Sequence, residues 1–133
     1  MRAEIANEIL DGYARWWREQ FAVHQAGNGV EIVTPMLNRN NDSMSVFIGS
    51  RPDASDGLVL SDLGQTLGDL GLEGCDVLGS AWRTDLLDAT LRRFGLSRDG
   101  GEIYVCTSRL KLFVSLDFML QGMSAVDSLL SSS

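Results

Sequence analysis

Phe21-Ala22-Val23-His24-Gln25 and Val30-Glu31-Ile32-Val33-Thr34, separated by Ala26-Gly27-Asn28-Gly29, decide how this chain folds. Both runs alternate with the period of a β-strand, and the Gly- and Asn-rich link supplies the positive φ angles of a tight hairpin. Pro35 lacks an N–H for the ladder, so pairing should weaken or end there. Met44 to Ile48 and Leu58 to Ser61 read as two more strands, joined by a loop from about Gly49 to Gly57 that contains Arg51-Pro52-Asp53. Four strands in succession imply an antiparallel sheet.

Upstream of the hairpin, Ile5, Ile9, Tyr13, Trp16, Trp17 and Phe21 recur at three- and four-residue spacing. That spacing predicts a helix from near Arg2 to near Gln20 whose apolar stripe belongs to the core. Gly12 within it costs about 1 kcal/mol relative to Ala. Downstream, Leu63, Leu67 and Leu70 mark a short helix limited by Gly68 and Gly71. Ser80 caps a second, Ala81 to Phe94, with Trp82, Leu86, Leu87 and Phe94 as its apolar face and Gly95 as its stop. Arg92 and Arg93 in its last turn suit the helix dipole. Gly100-Gly101 leads into a fifth strand, Glu102 to Cys106. Ser108 then caps a final helix carrying Leu112, Phe113, Leu116, Leu120, Met123, Val126 and Leu130. The expectation is one α+β domain, residues 1–133: an N-terminal helix, a mostly antiparallel four- to five-stranded sheet, and C-terminal helices.

An apolar fraction of 44% and a charged fraction of 22% are those of a chain that folds without a partner. No apolar run approaches the roughly 20 residues that cross a bilayer, and Arg2, Glu4 and Glu8 do not make a signal peptide. A cytoplasmic protein without membrane contact is expected. Cys75 and Cys106 have no CxxC spacing and read as two buried thiols.

Charge is distributed unevenly. Asp53, Asp56, Asp62, Asp69, Glu73, Asp76, Asp85 and Asp88 face Arg83 alone between positions 53 and 88, so this segment carries the whole formal net charge of −7. An acidic surface repels nucleic acid and attracts basic surfaces, and a partner-binding face is expected at Asp53, Asp56, Asp62, Asp69, Glu73 and Asp76. The competing chemistry is a metal-dependent nuclease, with Asp42 and Asp62 as ligands and Asn38, Asn40 or Glu31 completing an oxygen shell. Such sites commonly add a lysine, and Lys111 lies far along the chain. A simpler role for the same residues is a turn built by Asn38, Asn40, Asn41 and Asp42, with Asp62 capping the helix after Gly64. His24 sits in a strand, no GxSxG elbow occurs, and Gly68-Asp69-Leu70-Gly71 places an acid where a phosphate would bind.

Thr34-Pro35-Met36-Leu37-Asn38-Arg39-Asn40-Asn41-Asp42, the run Leu60-Ser61-Asp62-Leu63-Gly64-Gln65-Thr66-Leu67-Gly68-Asp69-Leu70, and the closing Ala125-Val126-Asp127 resemble the domain-of-unknown-function family eighteen twenty-eight. The resemblance implies a context of small bacterial, phage and prophage proteins rather than a reaction. In that family an Asp usually stands at Asn38, a His at Asn40, and Asp-Asp-Gly where this chain has Asp62-Leu63-Gly64. A metal or acid–base centre of the family would therefore be incomplete here. The acidic residues could equally serve to solvate one face, and a nuclease or degenerate nuclease-like domain using Asp42 and Asp62 stands as the alternative; the expected reading is a non-catalytic, cofactor-free interaction module of mobile-element type. Its expected partner is a protein with a basic surface, and its expected role is that of an inhibitor of a host defence or nucleic-acid enzyme, of which anti-CRISPR proteins are one kind. Outward-facing parts of the Trp16-Trp17 stripe would serve a homodimer.

Overall fold

The computed structural model describes residues 1–52 and 56–133. Among these, α1 (Ala3–Glu19) leads into β1 (Ala22–Ala26), β2 (Gly29–Leu37), β3 (Ser43–Ser50) and β4 (Gly57–Ser61). Then come α2 (Gln65–Leu72), α3 (Ala81–Arg93), β5 (Ser97–Asp99), β6 (Glu102–Ser108) and α4 (Leu112–Ser131). The protein is an α+β fold on one six-stranded, fully antiparallel sheet of order β1-β2-β3-β4-β6-β5. The sixth strand, β5, is three residues long and pairs with β6 across Gly100-Gly101. A strand that short carries no alternation for sequence reasoning to detect.

The β1–β2 hairpin closes on two residues, with Ala26 opposite Gly29 and Gly27 at φ 59°, the positive angle that a turn of this length demands at its first central residue. At Gly29 a Cβ would run into the backbone carbonyl of Ile48 on β3, so this position must be glycine for the ladder to close. The β2–β3 register breaks between Val33 and Leu37, around Pro35, and β2 resumes beyond the irregularity.

Alternation puts Met44 and Val46 of β3, Leu60 of β4 and Ile103 of β6 on one face, where α2, α3 and α4 cover them. Leu67 and Leu70 from α2, Leu87 and Leu91 from α3, and Met119, Leu120, Met123, Val126 and Leu130 from α4 complete the core. Each contributes about 1.5–3 kcal/mol by leaving water. Ser80 caps α3 by accepting a hydrogen bond from Arg83 N at 3.4 Å.

Several residues expected inside are outside. α1 buries none of its 17 residues, and Trp16 is 51% exposed. The stripe is there, but among the described residues no other element buries it. Phe113 in the first turn of α4, Trp82 in the first turn of α3, and Leu63 are also exposed, because the neighbouring chain does not extend over these ends. Cys106 is exposed and Cys75 half-buried, both as free thiols. Cys106 lies opposite Val59 and so points to the sheet face away from Leu60 and the helices. No described helix is long and apolar enough to cross a membrane.

Candidate functional site

One end of the sheet gathers the β2–β3 loop, the start and outer face of α2 and the C-terminal half of α4. The loop is built by Asn38, whose Oδ1 accepts hydrogen bonds from Asn40 N at 2.8 Å and Asp42 N at 3.1 Å. Asn38 N donates to Asp42 O at 2.9 Å, and Asn41 takes the left-handed conformation at φ 62°, which asparagine tolerates. The run of asparagines is thus a turn that holds Arg39 at its tip.

Arg39 is clamped by two carboxylates from different elements. Its Nη1 donates to Asp127 Oδ1 of α4 at 2.6 Å, and its Nε donates to Glu73 Oε2 at 2.7 Å. Its backbone N also donates to Asp127 Oδ2 at 3.0 Å. Burial lowers the Arg39 pKa, but the hydrogen bond to Glu73 and the charges of Asp127 and Glu73 outweigh it and hold the guanidinium above its ordinary value. Asp127 is buried among the apolar positions of α4, where an unpaired carboxylate would be costly, so Arg39 is its necessary counter-ion.

Asp69 lies one helical turn before Glu73 on α2 and is placed differently. Its Oδ2 accepts a 3.4 Å hydrogen bond from Asn38 Nδ2, at the weak end of the range. Burial raises its pKa and the nearby Asp42 adds to that. Arg39 pulls the value down, and Asp127 and Glu73 push it up again. Arg39 is already committed to Asp127 and Glu73, so Asp69 and Asp42 face one another with little relief. With Asp127, Glu73 and Arg39 the cluster carries a formal net charge of −3. Asp69 and Asp127 line a small cleft with Asn38, Gln65, Thr66 and Met123, of about 20 Å³. That is room for roughly one water-sized group, such as an ammonium, and far too little for a nucleotide.

Asp62 belongs elsewhere. It is fully buried, and its Oδ1 accepts hydrogen bonds from Gly64 N at 2.8 Å and Ile103 N at 2.9 Å, while Oδ2 accepts from Thr66 N at 3.1 Å. Asp62 N donates in return to Ile103 O at 3.0 Å. This carboxylate caps α2 and ties the end of β4 to β6, so it is no part of a surface face.

The remaining expected residues separate. Asp53 lies outside the described residues. Asp56 is at the opposite end of β4, roughly 20 Å from Asp62 at a strand's rise per residue, and faces Arg109 at 3.7 Å. Asp76 is exposed and accepts a hydrogen bond from Gly79 N at 3.1 Å in the α2–α3 connection. Glu31 lies mid-strand opposite His24 and Phe47, away from the loop that carries Asp42. Among the described residues, no group of three or more His, Cys, Asp or Glu side chains is arranged to hold a metal ion. The structure therefore brings together Asp42, Asp69 and Glu73 and adds Arg39 and Asp127, which charge counting over positions 53–88 missed. The signal for Asp127 was an acid at an apolar-stripe position of the last helix, next to Val126 and one turn after Met123.

Residues 34–126 match the model of a family described as Domain of unknown function DUF1828. The matched region includes Asn38, Arg39, Asp42, Asp62, Asp69 and Glu73 and ends one residue before Asp127. No curated protein and no solved structure matches the chain.

Proposed function

Because the chain belongs to the DUF1828 family, whose description assigns no activity, we propose from its own chemistry that it is a non-catalytic module that binds a protein partner bearing a basic surface. The observation that carries this is the state of Asp69: a carboxylate crowded by Asp42, Glu73 and Asp127, whose nearest cation is already engaged by two other acids. A partner's lysine or arginine supplies the missing charge, and the cleft beside Asp69 has room for an ammonium. Asp42 and Glu73 flank it at the surface. The partner class that fits is a host defence or nucleic-acid enzyme, whose phosphate-binding groups meet carboxylates in place of phosphates; on this reading the module is an inhibitor of the anti-CRISPR kind, in keeping with the phage and prophage context that the family resemblance implies. The net charge of −7 steers such an encounter and disfavours direct contact with nucleic acid.

The test is affinity capture from a bacterial lysate with the wild-type chain and with Asp69→Asn, at low and high salt, followed by competition between the captured protein's nucleic acid and the module. Capture at low salt, release at high salt, loss in Asp69→Asn and mutual displacement by nucleic acid support the proposal. A partner held equally by both chains, or unaffected by salt, overturns it.

A further inference from the structure

We infer that α1 is a self-association element, and that two copies of the chain pair through antiparallel α1 helices about a two-fold axis near residues 11 and 12. The helix cannot account for itself within one chain. None of its 17 residues is buried, and Ile5, Ile9, Leu10, Tyr13 and Trp16 are 47%, 55%, 61%, 54% and 51% exposed. Helices in proteins are stabilised mainly by the packing of an apolar face, which α1 lacks in the isolated chain. At its C-terminal end Trp17 packs edge-on against Phe21, in the connection to β1, at 5.5 Å between ring centroids.

Three features of α1 select a second copy as the occupant. The first is charge order. Glu4, Glu8 and Asp11 fall in the first part of the helix, and Arg15 and Arg18, with Glu19 as the last residue, in the second, so the first part is net acidic and the second net basic. Antiparallel pairing sets the acidic part of each copy against the basic part of the other, whereas a parallel pair would stack like charges. At ~100° per residue, Glu8 and Arg15 lie within about 20° of one another on one flank of the stripe. Two-fold symmetry brings like flanks together, so Glu8 meets the partner's Arg15, and the contact occurs twice. The second is the apolar register: the same axis sets Ile9 against the partner's Tyr13 and Ile5 against the partner's Trp16 and Trp17. The third is Gly12, a helix-weakening residue with no atom near its Cβ position within the chain. It lies at the crossing point, where the absence of a side chain lets two helices approach closely.

The surface is adequate. Five half-exposed side chains of this size retain on the order of 500 Å² per protomer, and pairing them would bury about 1,000 Å², the lower bound for a specific interface. Beside the end of α1, Trp17, Phe21, Val23, Ile32, Phe113 and Leu116 line an apolar groove of about 390 Å³ that continues the same surface onto the sheet and α4.

The test is sedimentation equilibrium of the full chain at roughly 1–100 μM, with Glu8→Arg and the double variant Glu8→Arg/Arg15→Glu. Both substitutions fall at exposed positions, and circular dichroism confirms folding. The expected result is a wild-type dimer that persists in high salt, association weakened at least about 10-fold toward monomer in Glu8→Arg, and recovery of the dimer in the double variant. A wild-type chain monomeric throughout overturns the inference, as do a dimer indifferent to Glu8→Arg, a double variant that stays monomeric, or an α1 that binds lipid vesicles while the chain remains monomeric.

Discussion

Replacing Asp62 by Ala removes the acceptor of three backbone N–H groups at once, those of Gly64, Thr66 and Ile103. Leaving a buried donor unsatisfied costs about 1–3 kcal/mol. Ile103 is fully buried and Thr66 nearly so, while Gly64 is half-buried and regains water, so two donors bear the full penalty. The expected loss is therefore about 3–5 kcal/mol, a large share of the 5–15 kcal/mol by which a domain is stable. In urea, with a slope near 2 kcal/mol per molar, the unfolding midpoint falls by roughly 2 M. Asp62→Asn keeps the shape and one acceptor but turns an NH₂ toward Thr66 N or Ile103 N, and should lie between at about 1.5–3 kcal/mol. Equilibrium urea unfolding followed by circular dichroism reads both. A midpoint for Asp62→Ala within about 0.3 M of wild type refutes the assignment of Asp62 to the frame and returns it to the surface.

Asp69→Asn should stabilise the chain at neutral pH, by less than about 1 kcal/mol. The folded pKa of Asp69 lies above its ordinary 3.8, so its penalty is absent below that value and accrues as pH rises through the folded pKa. Thermal melts should show the gain at pH 7 and its disappearance below about pH 3.8. Asp88→Asn should do the reverse. The hydrogen bond from Arg98 Nε to Asp88 Oδ1 at 2.6 Å holds the Asp88 pKa below 3.8, so its stabilisation is present above that value and is lost as pH falls through the lower folded pKa. For a pair about a third exposed the cost at pH 7 is about 0.5–1 kcal/mol, and wild type and variant should converge in acid. Asp127→Ala leaves the Arg39 guanidinium with Glu73 alone, strips Arg39 N of its acceptor and loosens the loop, at about 1–3 kcal/mol, read as a lower melting temperature. Asp127→Asn should restore part of the loss by keeping an acceptor for Arg39 N.

Elements with strong periodicity or capping were readable along the chain. The hairpin, α3 with Ser80 and Gly95, and the apolar ladder of α4 depend on neighbours a few residues away, and their boundaries agree with the structure to within a few residues. The two clearest departures concern what covers an element. The stripe of α1 has the spacing of a core helix and no layer above it, and Cys106 occupies a strand position whose facing is set by its pairing with Val59. The acidic segment fails as a single face for a related reason. Charge order along positions 53–88 carries no information on depth, so it grouped the buried Asp62 with Asp69, and with Asp56 at the far end of the sheet. The cluster around Arg39 joins residues from positions 38 to 127, and a window on one segment cannot contain it.

The proposal that Asp69 receives a partner's cation is tested most directly by isothermal titration of the captured partner into wild type and Asp69→Asn, across a series of salt concentrations. The account predicts measurable affinity that weakens as salt rises for wild type, and a loss of at least about 10-fold for Asp69→Asn, equivalent to about 1.4 kcal/mol, in a variant at least as stable as its parent. Equal affinity for the two chains would contradict it.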